Sequence, residues 1–213
     1  MAQFKSRKYP QIECGDIYFL YRPAVGVGEA HGFKDVRRLY ILLKPWGTQI
    51  YRLLIVGRKK LPAPEEHDRF WAFVWRVFKD REALNEELGY KEYETKTRHV
   101  RKISLARPAA EGIYTIVRHG EHIHLAYFLK LPKHQDPVER ELNIKREASY
   151  IIAVKNPETP SPPNTGLGQK QEAEFPKRPT ENELSDFSRL WHDGCGKTII
   201  EAQNVDQNHS AKV

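Results

Sequence analysis

The sequence predicts an α+β protein: an antiparallel β sandwich or partly open barrel made of two three-stranded units, with an aromatic helical insert between them and a C-terminal helix. Six strand-length apolar runs, each closed by a proline, a glycine or a basic cluster, carry the β assignment. A likeness between the first three runs and the last three suggests internal duplication. An aromatic segment of helical period separates the two triplets.

The first triplet is "DIYFLYR" (16–22), "RLYILLK" (38–44) and "YRLLIVGR" (51–58). The second is "GIYTIVRH" (112–119), "HIHLAYFLK" (122–130) and "SYIIAVK" (149–155). Ile17-Tyr18 with Arg22 matches Ile113-Tyr114 with Arg118, and "LYILLKP" (39–45) lies over "LAYFLKLP" (125–132). The third match, "LLIV" (53–56) over "IIAV" (151–154), is no more than shared strand composition requires. Neither triplet can bury both of its faces alone, so the two are expected to pack on each other.

The insert spans about residues 65–90. Stepping about 100° per residue through "HDRFWAFVWRVFKD" (67–80) gathers Phe70, Trp71, Phe73, Val74, Trp75, Val77 and Phe78 on an arc of about 200°, the pattern of an amphipathic helix. "REALNEELGY" (81–90) continues as helix, with Gly89 as its stop. Residues 1–157 then form one β-rich domain, followed by a Pro/Gly-rich linker at 158–180. Thr180 with Glu183 has the form of a capping box opening a helix through 181–191. "TIIEA" (198–202) reads as a short strand, and 204–213 as a disordered tail.

An apolar fraction of 39% with 30% charged residues in 213 positions is ordinary for a globular protein of this size. Two cysteines, Cys14 and Cys195, are too few for a disulfide framework. No window approaches the roughly 18 apolar residues of a spanning helix, so a soluble, cytoplasmic protein without membrane partners is expected.

The net charge of +7 is unevenly spread. Residues 1–62 hold 12 Lys/Arg against 4 Asp/Glu, and residues 95–156 hold 12 against 6. Residues 63–94 hold 5 against 9, and residues 157–213 hold 6 against 9. Such alternation means either a footprint for an anionic partner or basic parts neutralised by acidic ones within the fold.

The densest basic stretch is "TKTRHVRKISLARP" (95–108), with Lys96, Arg98, Arg101, Lys102 and Arg107 and no carboxylate. With Arg58, Lys59 and Lys60 of "GRKKLP" (57–62) it makes the candidate anion-binding set, suited to a nucleic acid, another polyanion or a phosphorylated ligand. The competing reading is a solvated strand and loop. "RHGEHIH" (118–124) is the candidate metal site: His122 and His124 at i, i+2 on a strand share a face, with His119 across the turn. The spacing resembles the His-x-His of cupin-type metal sites, but the later glutamate of that motif is absent, and hydrogen-bonded histidines beside a turn are the alternative.

"DGCGKT" (193–198) ends like a phosphate-binding P-loop, yet Trp191 stands where the first glycine belongs and a strand follows instead of a helix. Cys14 has no histidine tied to it by pattern. Glu139 and Glu141 in "PVERELNI" (137–144) share a side if the chain is extended, a pair usable in acid–base chemistry. No catalytic motif is complete and no cofactor is indicated. The leading expectation is a non-enzymatic module with a basic surface for an anionic partner. The alternatives are a small-molecule enzyme or ligand-binding protein with a pocket between the sheets, metal-assisted through the histidines, and a protein-interaction scaffold.

Overall fold

The computed structural model describes residues 10–63, 69–95, 99–120, 122–154 and 197–202. The predicted linker, C-terminal helix, P-loop-like segment and tail lie outside the described residues. Along the chain run β1 (Gln11–Pro23), a 3-10 turn (Phe33–Asp35), β2 (Val36–Pro45), β3 (Tyr51–Val56) and β4 (Arg69–Phe78). Then come α1 (Arg81–Leu88), β5 (Lys91–Thr95), β6 (His99–Ile103), β7 (Arg107–His119) and β8 (His122–Leu131). Last are α2 (Pro137–Glu141), β9 (Glu147–Val154) and β10 (Lys197–Ala202).

The six expected runs are all strands, but they do not stack as two sheets. β1 pairs with β7, which joins the triplets edge to edge in the order β3-β2-β1-β7-β8-β9. β4 pairs with β3, and β10 bridges β4 to β9, so the antiparallel sheet closes as an eight-stranded barrel. Closure removes the sheet edges that an open arrangement would leave exposed. No helix among the described residues is long and apolar enough to cross a membrane.

Period-two alternation builds the interior. Ile17, Phe19 and Tyr21 of β1, Leu39, Ile41 and Leu43 of β2, and Leu54 and Val56 of β3 point inward. Tyr114 and Ile116 of β7, Leu125, Tyr127 and Leu129 of β8, and Tyr150 and Ile152 of β9 meet them in one buried cluster. Each such side chain contributes about 1.5–3 kcal/mol through burial. The interior is thus filled rather than hollow, as in other eight-stranded barrels packed with side chains.

The segment 67–80 is the main correction. Within it Arg69–Phe78 is strand β4, not a helix, in keeping with a run dense in aromatic and β-branched residues. Ala72 and Val74 point into the barrel. A register shift opposite Leu53/Leu54 leaves Trp75 as an extra residue, after which Val77 packs on the interior cluster and Phe78 turns outward. There Phe78 joins Tyr40, Leu42 and Leu53 beneath Leu84 of α1 and Ala106, a second small core outside the barrel wall. A run that is apolar at nearly every position from Phe70 to Phe78 lacks the polar alternation that marks a strand, so helical stepping found a false period. The next segment does form a helix, α1, capped by Asp80 accepting from the Glu82 and Ala83 backbone N–H groups and ending at Gly89.

The likeness between triplets is out of phase in its first pair. Ile17 faces the barrel interior, whereas Tyr114, not Ile113, does so on β7. Matching Gly15 to Gly112 restores the phase, and these glycines sit alike: a Cβ at Gly15 would overlap the Lys44 carbonyl, and one at Gly112 the Phe128 carbonyl.

α2 corrects another expectation. "PVERELNI" is helical at its start, so Glu139 and Glu141, two residues apart, point to opposite sides instead of forming a pair. Asp136 and Glu139 make a reciprocal capping box with Pro137 in the first turn. Val138, and Leu142 and Ile144 just beyond the helix, enter the barrel core, while the Glu141 carboxylate accepts from the Phe33 backbone N–H.

Candidate anion-binding pocket

The predicted cations fall on several parts of the fold. Lys96 and Arg98 lie outside the described residues. Arg101 and Lys102 fall on β6, which pairs with β5 as a separate two-stranded hairpin, in register with Tyr93 and Glu92. Lys102 Nζ stands 3.7 Å from Glu92 Oε1. Arg107 opens β7 opposite Tyr21, and its Nε is buried without a hydrogen-bond partner among the described residues.

The second basic group is occupied with aromatic rings. Arg58 and Lys60 lie 4.9 and 6.0 Å from the Phe70 ring centre. Lys59, in a left-handed conformation at φ 61°, donates to the Val36 carbonyl at 2.7 Å and sits 4.8 Å over Phe33. Among the described residues no hydrogen bond or ion pair joins this group to Lys102.

The histidines gather on the barrel's outer surface. His119 and His122 pair across the β7–β8 turn, and the His119 and His124 rings are 5.7 Å apart. His124 is buried, with Nδ1 3.4 Å from Ser149 Oγ. Burial first, then the neighbouring His119 and His122, lower its pKa below the ordinary histidine value. Among the described residues no group of three or more His, Cys, Asp or Glu is arranged to hold a metal ion. Cys14 is a half-buried free thiol.

A pocket of about 380 Å³ opens where β8 hands over to α2 and the chain then enters β9. Its walls are Leu129, Pro132, Lys133, His134, Gln135, Glu139, Arg140 and Arg146. Local folding explains how these residues meet. β8 ends at Leu131, and the capping box starts α2 five residues later. Gln135 donates to the Ile144 carbonyl, and Leu129 N–H donates to the Arg146 carbonyl at 2.8 Å, so the loop and the start of β9 are tied together. Arg146 is held with its guanidinium 5.4 Å over the Phe128 ring.

Four of the eight lining residues are Lys, His or Arg, and among the described residues none of the four has an ion-pair partner. The lone carboxylate in the wall is Glu139, 3% exposed because its neighbours Val138 and Leu142 pull that side of α2 into the core. Glu139 Oε2 accepts from the Asp136 N–H at 3.2 Å, which leaves Oε1 without a hydrogen bond among the described residues. Burial, reinforced by the Asp136 carboxylate and opposed by that N–H, pushes the Glu139 pKa up to about 7. The pocket is therefore a concave positive surface containing one carboxyl that is easily neutralised.

Sequence reasoning passed over this site. Its cations come from a loop, a helix and the lead-in to a strand, and no linear spacing announces their convergence. One local signal was readable, "DPVE" (136–139), whose capping box and first-turn proline mark a helix start. No protein-family model matches the chain, and no curated protein and no solved structure is similar enough to it to count as a match.

Proposed function

We propose that the chain is a binding module for an anionic ligand, seated in the pocket between β8, α2 and β9. The observation that carries this reading is the set Lys133, His134, Arg140 and Arg146 around one concavity, none of them ion-paired with a carboxylate among the described residues. Like-charged side chains repel one another, and a positively lined hollow focuses its field on an incoming anion. Two guanidinium forks and an ammonium also match oxyanion geometry.

Titration calorimetry with sulfate at low ionic strength tests the proposal. Saturable binding that weakens with added salt is expected, along with a loss of about tenfold or more in an Arg140→Ala/Arg146→Ala variant. Absence of any saturable heat at low ionic strength would overturn it.

A further inference from the structure

We infer that the pocket takes the phosphate-monoester group of a small molecule, with the Glu139 carboxyl donating its proton in a hydrogen bond to the bound oxyanion. The inference rests on the anion-binding reading above and narrows it in three ways.

Shape comes first. The cations line one open hollow of about 380 Å³, at the lower end of the roughly 300–1,000 Å³ occupied by small-molecule sites. A nucleic acid presents its phosphates as a series and needs cations along a track. Here Lys133, Arg140 and Arg146 line one cavity.

Charge comes second. A ligand carboxylate is matched by a single guanidinium fork, whereas two forks and an ammonium suit a group with three terminal oxygens and a charge near −2. Leu129 and Pro132 supply an apolar wall against which the esterified body can rest.

The third point is Glu139 itself. An ionised carboxylate in the wall would repel the anion, while a protonated one offers an O–H to it through Oε1, the oxygen that the capping box leaves unused. Asp136 is the charged neighbour that acts on it, and Lys133 and His134 of the preceding loop, Arg140 of α2 and Arg146 before β9 line the same pocket. The pKa of about 7 makes the neutral carboxyl accessible near neutrality.

The test uses the full chain and three probes: phenyl phosphate, benzenesulfonate and a single-stranded oligodeoxynucleotide. Phenyl phosphate is expected to bind one to one and to be lost in Arg140→Ala/Arg146→Ala. Benzenesulfonate keeps a constant charge, so its pH dependence reports the protein alone. Its affinity should fall about tenfold between about pH 6 and about pH 8 as Glu139 ionises. Glu139→Gln keeps the cap, since Gln serves in a capping box, and should flatten that fall while His134→Gln leaves most of it in place.

Oligonucleotide binding without phenyl phosphate binding would overturn this inference and leave the anion-binding reading standing. Binding of no probe at low salt would overturn both. An unchanged pH slope in Glu139→Gln would overturn the role given to Glu139.

Discussion

Arg22 and Arg52 differ from Arg140 and Arg146 in one respect that the sequence conceals: whether their donors are already committed within the protein. Arg22 is 4% exposed and donates from Nη1 to the Gly89 and Ser104 carbonyls at 3.0 and 2.7 Å. Its Nη2 donates to the Glu87 carbonyl at 2.8 Å and its Nε to the Tyr40 hydroxyl at 3.1 Å. Gly89 and Ser104 flank the β5–β6 hairpin, so one guanidinium clamps the two ends of that hairpin together. Arg52, equally buried, gives Nη1 to both Glu13 oxygens at 2.6 and 2.8 Å, and Glu13 also accepts from the Tyr114 hydroxyl at 2.6 Å. The pocket arginines are exposed and have no ion partner among the described residues. Positive charge in this chain is thus of two kinds, one consumed in holding the barrel and one available to a ligand.

The largest effect that tests this division is at Glu13. Glu13→Ala takes from buried Arg52 the carboxylate that accepts from its Nη1 at 2.6 and 2.8 Å and should cost about 3–5 kcal/mol, read as a lower midpoint in urea. Glu13→Leu with Arg52→Met should recover only part, because Tyr114 then lacks its acceptor; adding Tyr114→Phe should recover most of the remainder. If the single variant is as stable as wild type, Arg52 is not held as described. Arg22→Lys comes next, at about 2–3 kcal/mol, since an ammonium cannot span three carbonyls and a hydroxyl from one planar fork. Hydrogen exchange should then show the hairpin amides losing protection before the barrel amides. The pocket behaves in the opposite way: Arg140→Ala/Arg146→Ala should change stability by no more than about 0.5 kcal/mol while abolishing anion binding. A large stability loss there would merge the two kinds of arginine.

The strand content was legible because alternating or closed-ended apolar runs such as 38–44 and 122–130 encode a buried face directly. A partly open barrel was one of the two expected arrangements, but its closure was not legible. Closure depends on β4, whose nearly unbroken apolar run lacks the alternation that would identify it, and on β10, separated in sequence from its partners β4 and β9. Likewise the charge count located two basic segments without distinguishing Arg107, with its buried Nε, from Arg146 on the pocket wall. That distinction depends on burial and on hydrogen bonds between residues distant in sequence, as between Arg22 and Ser104.

The smallest expected effect is also the one that ties the pocket to stability. A Glu139 pKa of about 7 in the folded chain, above its ordinary value of 4.5, means that the folded state holds this proton more tightly than the unfolded state. The contribution to stability is then fully present below about pH 4.5 and is lost as pH rises through about 7. Glu139→Gln cannot ionise and retains the capping hydrogen bond, so it should match wild type in mild acid and exceed it above neutrality. Because the ionised carboxylate still accepts from the Asp136 N–H, which offsets part of its burial, the gain is at most about 1 kcal/mol. Thermal melts of both proteins across that pH range give the difference directly. A variant less stable than wild type at high pH would mean that ionised Glu139 is held by the surrounding cations, in which case those cations belong with Arg52 as internal partners and not with a ligand.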